Sequence, residues 1–129
     1  MALQRVFISF DYDHDDDLRI LLVGQARNPN TPFSLADWSV KEPMTGDWKN
    51  KVRTRIRSVD EMIVICGEYT HTAAGVSAEL AIAQEDKIPY FLLHGRNGKA
   101  CRKPQAAMAT DKIYDWDWPN LTKLIAGNR

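Results

Sequence analysis

Cysteine is scarce in this chain of 129 residues: the two present, Cys66 and Cys101, do not form a C-x-x-C pair. Neither a thiolate zinc cluster nor a thioredoxin-type redox motif is supported. Cys66 ends the apolar run Met62 to Cys66 and reads as a buried core thiol. Long hydrophobic runs are equally absent. That five-residue run is among the longest, against the roughly 20 residues needed to cross a bilayer, so no spanning segment is expected. Residues 1–10 carry one Arg before Val6-Phe7-Ile8 and lack the long apolar region and cleavage site of a secretory signal, which predicts a mature cytoplasmic protein. An excess of charge is missing too. The 17 basic residues balance the 17 acidic ones, so nothing draws the whole chain to nucleic acid or anionic lipid, and neither is expected as a partner.

Motifs that would fix an activity are also missing. No G-x-G-x-x-G follows a predicted strand and no G-x-x-x-x-G-K-[ST] occurs, which disfavours a Rossmann hydride-transfer site and a P-loop. Gly95 and Gly98 read as a loop with permissive backbone. No G-x-S-x-G elbow precedes a helix, so His14, His71 and His94 lack a serine-hydrolase context. The third predicted strand ends Ile65-Cys66-Gly67, where a receiver domain would place its phosphoacceptor Asp.

What is present is an ordinary globular composition, 44% apolar and 26% charged, with no repeat or low-complexity linker. One domain over residues 1–129 is expected. Residues 3–10, 33–38, 61–66, 88–93 and 112–114 read as strands, several almost wholly apolar, as in a parallel sheet covered on both faces. Helices are predicted over 15–27 (Leu18, Leu21, Leu22 and Gln25 at helical spacing), 47–59, 73–86 and 119–126. The alternation implies an α/β doubly wound sandwich with a five-stranded parallel sheet and helices on both faces. Ligands of such folds collect at the carboxyl ends of the strands, which singles out residues 9–14, 38–46, 67–75 and 94–98.

Three features there invite a functional reading. The acidic run Asp11, Asp13, Asp15, Asp16, Asp17 opens like a calcium loop, but the sixth and twelfth places hold Asp16 and Leu22 in place of Gly and Glu. It reads as an acidic helix start, with a ligand-facing Asp11 or Asp13 as the alternative and metal binding disfavoured. Lys49, Lys51, Arg53, Arg55 and Arg57 recur every second residue, which predicts charge spread around a solvated helix, with a contact to a partner or phosphate as the alternative. Glu79 falls near the start of the third helix, beside the stripe Val76, Leu80 and Ala83. It has no Ser or Thr three residues earlier, so it fits no capping box. Either it is a plain helix residue, or the helix start keeps it ionised to stabilise a developing positive charge.

Arg5-Val6-Phe7-Ile8-Ser9-Phe10 followed by the acidic turn, Asp37-Trp38 at a strand end, Asp60 to Gly67, and Gly75-Val76-Ser77-Ala78-Glu79-Leu80 together resemble the Toll/interleukin receptor (TIR)-like domains. More narrowly, they resemble the bacterial proteins of the ThsB type in Thoeris antiphage defence, over residues 3–115. The resemblance implies a flavodoxin-like fold and an enzyme that cleaves the nicotinamide glycosidic bond of NAD. NAD would be the substrate, with no cofactor or metal. The product would be an ADP-ribose-derived nucleotide, cyclic in some relatives, read by a separate effector protein. Carried over, Glu79 is the catalytic carboxylate; Ser9, Phe10, Asp11 and Tyr12 line the nucleotide pocket, with Asp37 and Trp38 beside it. Residues 39–46 take the place of the loop that governs assembly, including homo-oligomer formation. One departure stands out: Gly75 and Val76 replace the Trp-Cys that many TIR enzymes carry there. Two alternatives remain, a non-enzymatic TIR-like interaction module and a nucleoside deoxyribosyltransferase-like enzyme.

Overall fold

The computed structural model describes residues 4–28, 31, 33–39 and 44–127, without the side chains of Ala36 and Asp37. Five strands, β1 (Gln4–Ser9), β2 (Phe33–Trp38), β3 (Glu61–Cys66), β4 (Tyr90–His94) and β5 (Ile113–Asp115), form one sheet in the order β2-β1-β3-β4-β5. Every pairing is parallel. All six residues of β3 are buried, which explains why this strand has no alternating pattern: both of its faces are covered. The expected α/β doubly wound architecture is the observed one.

The helices are α1 (Tyr12–Ala26), α2 (Trp48–Arg57), α3 (Ala74–Glu85) and α4 (Trp118–Ile125). Leu18 and Leu22 of α1 pack with Leu121, Leu124 and Ile125 of α4 on Val6, Ile8, Ile63 and Leu93. On the other face, Val52 and Ile56 of α2 and Val76, Leu80 and Ala83 of α3 pack on Phe7, Met62, Val64 and Leu92. Each fully buried aliphatic or Phe side chain contributes about 1.5–3 kcal/mol, so the two layers hold the sheet from both sides. The connection from β4 to β5 has no helix; Cys101, Ala106 and Ala107 lie on the α2/α3 layer instead. Cys66 is a buried free thiol, and burial pushes its pKa up. Among the described residues no helix is long and apolar enough to cross a membrane.

Three expectations need correction. The first helix begins at Tyr12, three residues before the expected Asp15, because the Asp11 side chain caps it by accepting the Asp13 N–H. Leu21 is 60% exposed and does not share the buried stripe of Leu18 and Leu22. Asp15 has non-helical φ/ψ (−123°, 18°), a break just before that stripe begins. The basic helix is not merely solvated. Lys49, Arg53 and Arg57 are spaced by four, hence on one face, and they meet the end of α3: Arg53 donates to Asp86 and Glu85 at 2.7 Å each, Arg57 Nε to Asp86 at 3.0 Å. Arg55 reaches the other way, to the Trp38 carbonyl (2.6 Å). The every-second-residue pattern hid two interleaved faces.

Candidate active site

The strand order places a switch point between β1 and β3, whose connections leave the sheet in opposite directions. At that edge the polar residues come together. Ser9 is the last residue of β1; Ser39 follows β2 and prolongs the ladder by donating its N–H to Ile8 O (2.9 Å). Both hydroxyls donate to one carboxylate oxygen, Glu79 Oε1 on α3, at 2.8 Å from Ser9 and 2.6 Å from Ser39. Ser39 Oγ in turn accepts the Phe10 N–H (3.2 Å). The serine has a single hydrogen, and the 2.6 Å approach to Glu79 takes it in preference to Ile8 O at 3.5 Å.

Glu79 is 3% exposed, in a helix whose buried residues also include Val76, Leu80, Ile82 and Ala83. A carboxylate is stable in such a place only with donors aimed at it. Two chain segments supply them, so Glu79 is fixed to the sheet as well as to its helix. It also lines a cavity of about 240 Å³ whose other walls include Phe10, Asp11, Tyr12, His14 and Gly75. Phe10 and Tyr12 stack at 6.0 Å between ring centroids, Phe10 buried and Tyr12 exposed. The start of α3 forms another wall: Ala73 caps it without a side-chain hydrogen bond, and Ala74, Gly75 and Val76 border the cavity. The first N–H groups of a helix have no partner within it, so this wall is suited to an anion. A Cβ added at Gly75 would meet nothing within 4 Å; the departure from Trp-Cys therefore leaves open space.

The structure thus brings Phe10, Asp11, Tyr12 and Glu79 around one hollow, whereas Ser9, expected to line it, is fully buried behind Glu79 and is not among the cavity walls. Trp38 lies elsewhere, against the α1/α4 layer with the Arg19 guanidinium 5.1 Å from its ring, and is not among the cavity walls. Asp37 occupies β2, but its side chain lies outside the described residues, as do residues 40–43 of the expected assembly loop. Of the rest of that loop, Ser39 turns inward to Glu79, and Met44 is exposed at the cavity rim. Sequence reasoning did not single out Ser39 as a partner of Glu79. The available signal was a hydroxyl residue at the end of each of two apolar strands. Among the described residues no group of three His, Cys, Asp or Glu side chains could hold a metal.

Beside the cavity, the acidic run resolves into separate tasks. Asp11 is buried and caps α1. Asp15 is buried and accepts from Arg96 Nη2 at 3.1 Å, while Arg96 also grips Asp17 at 2.8 Å. Burial pushes the Asp15 pKa up despite Arg96, whereas the hydrogen bond from Arg96 pulls the Asp17 pKa down. Gly67 is required here, since a Cβ would overlap the Asp15 carboxylate.

The family model described as "Thoeris protein ThsB, TIR-like domain" matches residues 7–97. Among solved structures, a prokaryotic SEFIR domain is 17% identical, with a TM-score of 0.53 over 96% of this chain and 88% of that one. That likeness concerns the fold. No curated protein matches the chain.

Proposed function

We propose, from the premise that this chain belongs to the family of TIR-like domains of the Thoeris protein ThsB, that it cleaves the nicotinamide glycosidic bond of NAD. The ADP-ribose-derived product, free or cyclic, would act as an intracellular signal read by a separate effector protein in defence against phage. The observation that carries this reading is the pairing of one buried carboxylate, Glu79, with a cavity, its Oε1 held by Ser9 and Ser39.

The chemistry needs few groups. Nicotinamide in NAD is cationic and departs neutral, so no general acid is required, unlike the leaving oxygen of ordinary glycosides. What must be stabilised is the positive charge that grows on the ribose. A carboxylate already fixed by two hydroxyls does this without reorganising during the reaction. Asp11 and Asp13 on the same walls favour the cationic ring, Phe10 and Tyr12 offer faces for stacking, and the uncapped start of α3 suits the pyrophosphate. At about 240 Å³ the cavity is smaller than the roughly 300–1,000 Å³ of typical ligand sites. It therefore fits the nicotinamide riboside half, with the adenylate half over the rim.

Purified protein incubated with NAD, and separately with deoxynucleosides, tests the reading when products are followed by chromatography. Nicotinamide release from NAD supports it. Release of a free base from deoxynucleosides alone would replace it with a deoxyribosyltransferase. Turnover of neither substrate, in the cell as well as in the purified sample, would leave an interaction module.

A further inference from the structure

Bond cleavage is half of a transfer reaction. The ribosyl cation must be filled by an acceptor, and an acceptor that is water or a sugar hydroxyl has a proton to lose. Glu79 Oε1 already takes two hydrogen bonds, and its task is to remain charged. A second group on the same cavity is built for that proton.

His14 Nδ1 lies 2.6 Å from Asp11 Oδ2. An ionised carboxylate only accepts, so Nδ1 carries the hydrogen and, in the neutral ring, Nε2 carries the lone pair; the tautomer is assigned from this contact. Asp11 is itself buried and held by the Asp13 N–H on its other oxygen. The His14 ring stacks on Tyr69, with centroids 4.5 Å apart. Its carbonyl accepts from Arg96 Nη2 at 2.9 Å, and Arg96 is anchored on Asp15 and Asp17. The imidazole is thus fixed through its ring nitrogen, its face and its main chain. Its side chain stays 46% exposed on the cavity wall. An Asp-His contact across the first turn would steady α1 by itself, but stabilising that turn requires neither the stacked partner nor a place on the wall beside Glu79.

We propose that His14, oriented by Asp11, is the general base that accepts the proton of a hydroxyl acceptor. This rests on the NAD-cleaving reading of Glu79. The C1′–N bond breaks with its electron pair passing to the pyridine nitrogen, and nicotinamide leaves neutral. A lone pair of the acceptor oxygen forms the new C1′–O bond. The hydroxyl proton passes to His14 Nε2 and then to solvent. Glu79 serves the first event and His14 the second; Asp11 is a positioning residue.

An acceptor with no proton to lose separates the two events. A neutral pyridine such as 3-acetylpyridine adds through its nitrogen, giving an exchanged dinucleotide and free nicotinamide. Purified chain is given NAD with and without 3-acetylpyridine, and the C1′–O products and the exchanged dinucleotide are quantified. His14→Gln is expected to lose about 10²-fold in C1′–O products while base exchange is unchanged. In His14→Ala, added imidazole restores the C1′–O products. Asp11→Asn, which keeps an oxygen to cap α1, lowers both reactions through the lost charge on the cavity wall but lowers the ratio of C1′–O products to exchanged dinucleotide as well, by a smaller factor than His14→Gln. Equal loss of both reactions in folded His14→Gln, or no rescue of folded His14→Ala, overturns the inference and leaves the reading of Glu79 intact. A wild type that yields neither product, in the cell as well as in the purified sample, overturns that reading and this inference with it.

Discussion

Glu79 and Asp15 are two carboxylates at the same edge of the sheet, 3% and 1% exposed, and their surroundings are opposite. Glu79 receives neutral hydroxyl donors from two strand ends and borders open space. Asp15 faces a guanidinium, and the space beside it is closed to the point that Gly67 cannot carry a Cβ. Hydroxyl donors orient a carboxylate and leave its charge to act on whatever enters the hollow. A cation neutralises it locally, and the tight fit leaves no room for a ligand. Burial of an acid therefore does not by itself mark a site; the character of its donors and the volume beside it do.

Removing Arg96 should break this contrast most severely. Arg96→Ala leaves the Asp15 charge buried without its partner, a change that costs about 3 kcal/mol when a buried pair is cut. Urea unfolding should show that loss, with any fall in activity traced to the displaced start of α1. A stability within about 0.5 kcal/mol of wild type, the range of ordinary surface changes, would mean that the Asp15 knot is not structural. The corresponding change on the other side is Ser39→Ala. It strips one donor from Glu79 and the acceptor from the Phe10 N–H, costing about 1–3 kcal/mol. Its signature is that NAD cleavage falls further than stability explains, read as turnover at a temperature where the variant stays folded.

The smallest effect is one of pH. The folded-state pKa of Asp15 is raised above its ordinary value of 3.8, so the native state holds more protons than the unfolded chain just above that value, and stability falls as pH rises through the window. Asp17, whose pKa is lowered, has the opposite sign and contributes stability that is lost on acidification. In Asp15→Asn the first contribution disappears. The stability of this variant relative to wild type should rise as pH increases from about 4, measured by denaturant titration at several pH values. A pH-independent difference would show that Asp15 is not penalised by its burial.

Much of the fold was legible because it rests on local pattern. The runs at 33–38 and 61–66 are the observed β2 and β3 residue for residue, and the buried run of β3 is what a strand covered on both faces requires. Glu79 was legible as an acid beside an apolar stripe with no capping role. Less visible were contacts between segments distant in sequence. Ser39 reaches Glu79 across 40 positions, and Arg96 reaches Asp15 across 81; neither pairing leaves a trace in periodicity. The acidic run looked like one feature because its members are adjacent, yet it divides into a cap, a buried ion pair and an exposed partner of Arg96. Trp38, expected near the nucleotide, packs with Arg19 on the opposite layer, as neighbouring strand residues point to opposite faces.

The charge of Glu79 is what would stabilise the ribosyl cation, and a single substitution removes that charge while keeping an oxygen for Ser9 and Ser39. Nicotinamide release from NAD, compared between wild type and Glu79→Gln at equal folded concentration verified by thermal melting, is the direct measurement. The prediction is release by the wild type and a loss of about 10²–10³-fold in the variant, the size expected when one preorganised electrostatic group is removed. Equal release by both proteins would contradict it.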